Sequence, residues 1–321
     1  MSEILAGLKS KETLMKNQKF ILLCVIVLVS AAVGSINSNF FSLTNIFAIF
    51  QQVSVLGILT MAMALLLISG GIDLSIGSIM ALSGVVISKI MMSGGSVGVA
   101  VAAGLAVGLA CGLINGLIVS KSKVMPLIIT LGMGSVYFGI ALIVSEGKFM
   151  NFGGQFEFIG RTKFFGIFPF TLVFLFVTVV LAFILLNYTK FGRRIVSIGG
   201  NEENAYLSGI PVDRYKIVTY GISGGIAGLA SIVLVSRLDS IVATAGQGYE
   251  LSALTAAIIG GVTFEGGRGT IGGAFLGVVM IGLISNAMTI LSVNSYLQTA
   301  ITGGIIVVAV ILSNLSKLRK K

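Results

Sequence analysis

The sequence predicts an all-α polytopic membrane protein of about ten transmembrane helices, and three observations carry that expectation. Hydrophobic residues make up 56% of the 321-residue chain and charged residues only 10%, against about 25% charged in a soluble globular protein. Mean hydropathy is +1.07. The charges are also spaced apart, leaving uncharged windows at 20–72, 90–120, 124–145, 164–189, 217–236 and 269–316. A spanning helix needs about 20 apolar residues, so the two longest windows hold two spans each and the other four hold one. That makes about eight spans, and two shorter windows, 74–88 and 251–264, raise the expected number to about ten.

Little chain is left outside a bilayer, so the expected organisation has one transmembrane domain, 20–313. A cytoplasmic segment, 1–19, precedes it and a basic tail, 314–321, follows. The formal charge is +10. With both termini inside and ten spans, 16 of the 21 basic residues fall inside, which is the positive-inside pattern. The charge therefore implies membrane orientation, and nucleic-acid binding, which needs a basic patch on a folded surface, is not expected. There is no His, and Cys24 and Cys111 both sit in apolar stretches. Imidazole chemistry, His metal sites, a disulfide framework and a bound cofactor are not expected.

In chain order, residues 1–19 read as a short amphipathic segment and 20–36 as the first span. A lysine-bearing start before an apolar core resembles a signal peptide, but an uncleaved first helix serves as well. The second span, 46–69, carries the adjacent amides Gln51 and Gln52. Gly70-Gly71-Ile72-Asp73-Leu74-Ser75-Ile76-Gly77-Ser78 follows and opens the first short window, which closes at Lys89. In the span 98–120, Gly104, Gly108, Gly112 and Gly116 recur every four residues and predict a smooth face for close helix packing. Pro126 starts the next span at a tolerated first-turn position. The segment 146–168, with Glu157, Arg161 and several Phe, reads as the longest polar excursion on the outer side, and the sixth span, 169–187, returns to the longest inner loop, 188–216. The span 217–236, an outer segment 237–252, the second short window, the turn 264–269 and two final spans complete the chain.

The short windows lie one in each half and are flanked by Gly70-Gly71 and by Gly260-Gly261. Paired, glycine-interrupted apolar segments in corresponding positions point to a transport path, although the halves do not otherwise align. Asp73, with Gly70, Gly71, Ser75 and Gly77 around it, has two open readings. It is an ionisable gate residue at a membrane boundary, or it caps the next helix by accepting N–H bonds from Ser75 or Ile76.

The inner loop holds the most specific local pattern. After Gly199 and Gly200, Asn201 is a good N-cap, Glu202 and Glu203 occupy the acid-favouring first turn, Ala205 and Leu207 supply apolar contact, Gly209 is a C′ residue and Pro211 stops the helix. So short a helix needs a surface to lie on, either its own membrane domain or a partner. Gly267-Arg268-Gly269-Thr270-Ile271-Gly272 fits G-x-G-x-x-G, but no strand precedes it, so dinucleotide binding is rejected, and the chain lacks a P-loop. Gln51, Gln52, Asn115, Thr130, Ser135, Thr255 and Asn286 lie within spans. Each either lines a route for a neutral polar solute or bonds helices together.

Four stretches together resemble the sugar-type permeases of bacterial ATP-binding-cassette importers, the ribose, xylose and galactose group within the family that includes branched-chain amino acid permeases. They are Leu67 to Ser78, Ile129-Thr130-Leu131-Gly132-Met133, Ile198 to Ile210, and Ile259-Gly260-Gly261 to Gly269. Two positions depart from the family pattern: Tyr206 stands where a basic residue is frequent, and Ser252 where an Asp is common.

The resemblance implies a non-enzymatic subunit of the bacterial cytoplasmic membrane that imports a monosaccharide, a ribose-like pentose or related sugar, using ATP hydrolysed elsewhere. Gly199, Gly200, Asn201, Glu202, Glu203, Ala205, Leu207, Gly209 and Ile210 would then contact the ATPase subunit. A second permease subunit, identical or paralogous, would complete the path, and an extracytoplasmic sugar-binding protein would deliver solute. The alternatives are a same-fold permease for an autoinducer-like sugar derivative, a nucleoside or an amino acid, and an ATP-independent secondary transporter.

Overall fold

The computed structural model describes residues 2–318 except 165 and 167, and side chains for 19–311 except those two, 295, 306 and 308–310. Ten apolar helical segments make up the domain. Helix α1 (Ser2–Ile36) runs unbroken, so the segment 1–19 continues into the first span without a joint. A 3-10 turn (Ser38–Phe41) leads to α2 (Leu43–Ile68), then α3 (Ile76–Met92), α4 (Val97–Ser122) and α5 (Pro126–Ser145). A compact excursion holds β1 (Met150–Asn151), α6 (Glu157–Arg161), β2 (Lys163–Phe164) and β3 (Phe168–Pro169). Helices α7 (Thr171–Tyr188), α8 (Lys190–Gly200), α9 (Glu202–Leu207) and α10 (Val212–Leu238) follow. Strand β4 (Ser240–Ile241), a 3-10 turn (Ala243–Gly246), α11 (Tyr249–Ile259), α12 (Ile271–Ile290) and α13 (Ser295–Leu318) complete the order. Of the basic tail, 314–318 form the end of α13 and 319–321 lie outside the described residues.

Seven helices among the described residues are long and apolar enough to cross a membrane: α1, α2, α4, α5, α7, α10 and α12. Helix α13 adds 24 residues. Helix α2 is the axis of the molecule. It is apolar on all faces and buried from Val53 to Ile68, as a helix surrounded by others must be. Helices α7, α10, α11 and α12 pack around it.

The glycine ladder of α4 meets a second one on α10. A methyl on Gly112 would collide with the Tyr220 carbonyl and lie 3.0 Å from Gly224 Cα, and one on Gly108 would lie 2.9 Å from Gly228 Cα. The two backbones touch, which is the close approach that small residues at a four-residue spacing permit.

The two short windows both form helices that are preceded by irregular chain. Helix α3 has 17 residues, about 26 Å at 1.5 Å per residue. It starts only after non-helical residues 71–75. Helix α11 has 11 residues, about 16 Å, too short to cross alone. Residues 239–248 feed it: Ser240 and Ile241 pair with Asn151 and Met150, and the chain then descends beside α3 until Gly246 lies against Gly77. Both helices therefore begin inside the domain, at a common level.

The excursion 146–168 packs back on the body, which corrects its reading as a polar loop: Met150, Phe152 and Phe156 are buried. The Gly160 N–H donates to Ser236 Oγ at 2.9 Å. Beyond the end of α5, Glu146 sits between Lys148 (2.5 Å) and Lys89 (3.8 Å). The hydrogen bond from Lys148 holds the Glu146 carboxyl below its usual range, with the charges of Lys148 and Lys89 adding to it.

Candidate functional site

Three glycine turns that are far apart in sequence meet at one end of the bundle. Helix α2 ends with Gly70 at φ +79°, where Gly70 N–H donates to Leu67 O and Gly71 N–H to Leu66 O, the paired bonds of a Schellman cap. Helix α11 ends the same way around Gly261 at φ +89°. Gly199, near the end of α8, is wedged against the first of these turns: a methyl there would strike Ile68 O and lie 2.6 Å from Gly267 N. Gly267 in turn donates its N–H to Ile68 O at 2.9 Å. Gly70, Gly199, Gly266 and Gly267 thus form one backbone-to-backbone junction, while Gly71 beside it packs on the Tyr220 ring. Gly200 at its rim faces open space.

Helix α9 leaves this junction directly. Asn201 Oδ1 accepts the Asn204 N–H at 2.8 Å, and Gly209 (φ +78°) forms the C′ cap, with its N–H donating to Tyr206 O and the Ile210 N–H to Ala205 O. Ala205 packs with Ile198, Ile210 and Val212, so the helix leans on α8 and α10. Lys216 clasps Glu202 at 2.7 Å. Of the two residues expected to supply apolar contact, Ala205 meets the chain's own body and Leu207 does not. Leu207 is 75% exposed and Tyr206 69% exposed, because a six-residue helix can rest only one face on the body and these side chains lie on the other. Glu203 is exposed as well.

Asp73 lies deeper, fully buried. Its Oδ1 accepts the Ser75 N–H at 2.8 Å and the Ser75 hydroxyl at 2.6 Å, and its Oδ2 accepts from Asn115 Nδ2 at 3.2 Å. Asn115 Nδ2 also donates to Ser75 Oγ at 2.7 Å, and the Tyr137 hydroxyl is shared between Asn115 Oδ1 (2.9 Å) and Cys111 O (3.0 Å). Thr130 Oγ1 accepts the Leu74 N–H at 3.1 Å. The Tyr220 hydroxyl donates to Ile72 O at 2.8 Å and accepts from Ile72 N–H at 3.2 Å. Every residue of the linker from Ile72 to Ser75 is therefore tied to α4, α5 or α10. The cap residue of α3 is Ser75, so Asp73 accepts from Ser75 in a local turn two residues upstream of the helix. Such a bonded network is what keeps irregular backbone tolerable inside a membrane domain.

The remaining polar residues separate. Gln51 Nε2 donates to Gly160 O at 3.2 Å, and Gln51 O accepts from Arg237 at 3.1 Å, on the α6 side. Asn286 exchanges two bonds with Asn45 (2.9 and 3.1 Å). Thr255 bonds within its own helix to Leu251 O, and Ser135 is exposed on α5. Gly77 packs on Gly246 and the Glu250 carboxylate. Gln52 faces a cavity. Sequence reasoning missed α8 as a separate helix, Tyr137 and Tyr220 as linker clamps, and the inward dip of 239–248. A lone tyrosine hydroxyl within an apolar span signals the clamps, because it must find a partner there.

A bundle of apolar helices, two of them short and preceded by irregular chain, meeting beside an amphipathic loop, defines a membrane transport protein. The sequence profile described as branched-chain amino acid transport system, permease component, matches residues 45–310, and the chain belongs to that permease family. It is a membrane-spanning transport component and not an enzyme. The chain is 39% identical over 285 residues to the ribose import permease of Bacillus subtilis (strain 168), covering 87% of this chain and 88% of that one. It is 37% identical over 310 residues to the ribose import permease of Escherichia coli (strain K12), 95% of each. The D-allose transport permease of the same strain is 38% identical over 300 residues, 92% of this chain and 90% of the relative. No solved structure matches.

Proposed function

We propose that the chain is the permease subunit of an ATP-binding-cassette importer in a bacterial cytoplasmic membrane, and that its solute is a monosaccharide, a pentose such as ribose or a related sugar. Relatives along nearly the whole chain carry names for ribose and allose import, which supports the solute class. The α8–α9 side faces the cytoplasm in this reading, because the basic residues collect there.

The observation that carries the coupling role is the pairing of two features of one loop. Tyr206 and Leu207 stand out from the body, and Gly199, a few residues upstream, is locked against the ends of α2 and the 260–269 turn. An ATPase subunit seated on α9 would push through this junction on the central helix. Gly70, Gly71, Asp73, Ser75 and Gly77 form the linker that such a push would load, an inner gate. A second permease subunit completes the path, and a sugar-binding protein docks on the opposite, α6 side.

Co-reconstitution with the ATPase subunit tests the reading. Sugar uptake should require ATP and should be lost in Glu203→Lys or Leu207→Glu while the protein still inserts. Uptake that persists without an ATPase would establish the secondary transporter instead, and uptake of amino acids in place of sugars would move the solute class.

A further inference from the structure

Between α2, α11, α12 and α13 lies a cavity of about 260 Å³ lined by Gln52, Gln247, Tyr249, Ser252, Ser285 and Thr302 over an apolar floor of Val53, Leu56 and Ile281. We infer that this cavity is a binding station for one neutral, polyhydroxylated solute, an inference that rests on the transport reading above. Four observations converge on it. First, the side chains of Gln52, Gln247, Ser252 and Ser285 make no hydrogen bond among the described residues, so their amide and hydroxyl groups are free to serve a ligand. A mid-helix amide left facing lipid is costly, and one facing a wet cavity is not.

Second, the cavity opens at the break before α11. Gly248 (φ +85°) lines it, and α11 starts there without a side-chain cap, leaving first-turn N–H groups as further donors. Irregular backbone at membrane depth belongs where it lines a cavity or is buried in protein. Third, no charged residue lines the space; the nearby Glu250 carboxylate is held behind the rim, one oxygen accepting the Gly248 N–H at 3.1 Å and the other lying against Gly77. A charged solute would be desolvated here without a counter-ion, whereas hydroxyl groups find both donors and acceptors.

Fourth, the size is right for one small solute. Its volume of about 260 Å³ is many times the roughly 10–15 Å³ that a single water requires, so it has room for a small solute and not only for water. Below it the hydroxyl strip continues through Ser252 and Ser285 to Thr255, but between Ile281, Ile284 and Ile305 the space shrinks to about 10 Å³.

Ser252→Cys and Ser285→Cys in the full-length chain, reconstituted in liposomes with its ATPase subunit, test the assignment. The rate of modification by a hydrophilic methanethiosulfonate reagent is measured above that of the unsubstituted chain, alone and with D-ribose, D-allose, L-arabinose or L-leucine. Both positions should be modified, and at least one aldose at saturation should slow modification about tenfold, since the reagent reaches only the unoccupied fraction. L-Leucine should not protect. Absence of modification at both positions, or modification that no aldose slows, would overturn the station. ATP-driven sugar uptake by the unsubstituted chain in the same vesicles separates the two failures: uptake without protection overturns the cavity and leaves the importer standing, whereas protection by leucine alone overturns both.

Discussion

Gly267 donates its backbone N–H to the carbonyl of Ile68 at 2.9 Å, and Gly199 is pressed into the angle between them. The α8–α9 loop thus touches the end of the central helix and the turn before α12 through backbone alone, with no side chain to flex in between. A displacement of α9 is passed to α2 and α12 as a rigid shift, because packed backbone has little compliance.

Gly199→Ala should therefore destabilise the protein by about 1–3 kcal/mol, the range for overpacking a filled site, and should weaken ATP-driven uptake further than its stability loss explains. Its neighbour supplies the control, since a methyl on Gly200 meets nothing within 4 Å. Gly200→Ala should leave the thermal midpoint in detergent unchanged. Equal midpoints for the two variants would show that the junction is loose.

On the α4–α10 seam the same logic predicts that Gly112→Ala separates the two helices and lowers the midpoint. Gly132→Ala, on α5 where a methyl meets nothing within 4 Å, should not. Thermal unfolding of both in one detergent decides it; a seam that tolerates the methyl would yield matching curves.

Much of this was legible in sequence, and the reasons are specific. The four-residue glycine spacing of α4 reports a packing face because only small residues let helix backbones touch. Asn201, Gly209 and Pro211 report α9 because caps are chemical requirements of helix ends. The partner face on α10 was hidden, since Gly221, Gly224 and Gly228 lie among other small residues without a strict period. The cavity was hidden for a different reason. Gln52, Gln247, Ser285 and Thr302 come from four segments, and polar residues such as Gln51 or Asn286 look identical to them in sequence yet are spent on Gly160 and Asn45. Only the tertiary arrangement shows which polar groups are already bonded.

Leu207 and Ala205 sit two residues apart on α9 with opposite exposure. Leu207→Ser should leave the thermal midpoint unchanged and reduce uptake coupled to ATP hydrolysis. Ala205→Asp should destabilise the loop by placing an unpaired carboxylate among Ile198, Ile210 and Val212. Measuring midpoint and coupling in parallel distinguishes a docking face from a packing face: a Leu207→Ser variant with normal coupling would remove α9 as the docking element.

The Asp73–Asn115 contact allows a sharper test than removing the carboxylate. Asp73 accepts from Ser75 through one oxygen and from Asn115 through the other. Asp73→Asn keeps the Ser75 bonds only if its new amide turns toward Asn115 Nδ2, where two donors then face each other with no acceptor between them. The expected cost is about 1–3 kcal/mol, that of a buried polar group without a partner. Asn115→Asp in the same chain restores one donor and one acceptor across the contact, its carboxylate still accepts from Tyr137, and the Ser75 hydroxyl, which loses its Asn115 donor, turns to donate to the new carboxylate. The double variant should therefore recover stability relative to Asp73→Asn alone, giving a favourable coupling in a double-mutant cycle. If Asp73 also gates the path, Asp73→Ala should impair uptake more than Asp73→Asn, because alanine removes both the Ser75 turn and the carboxylate tie to α4, leaving only the Asn115–Ser75 bond between the linker and that helix. Equal and mild effects of both on uptake would reduce Asp73 to a structural tie, and an additive cycle would show that the carboxylate and the amide act independently.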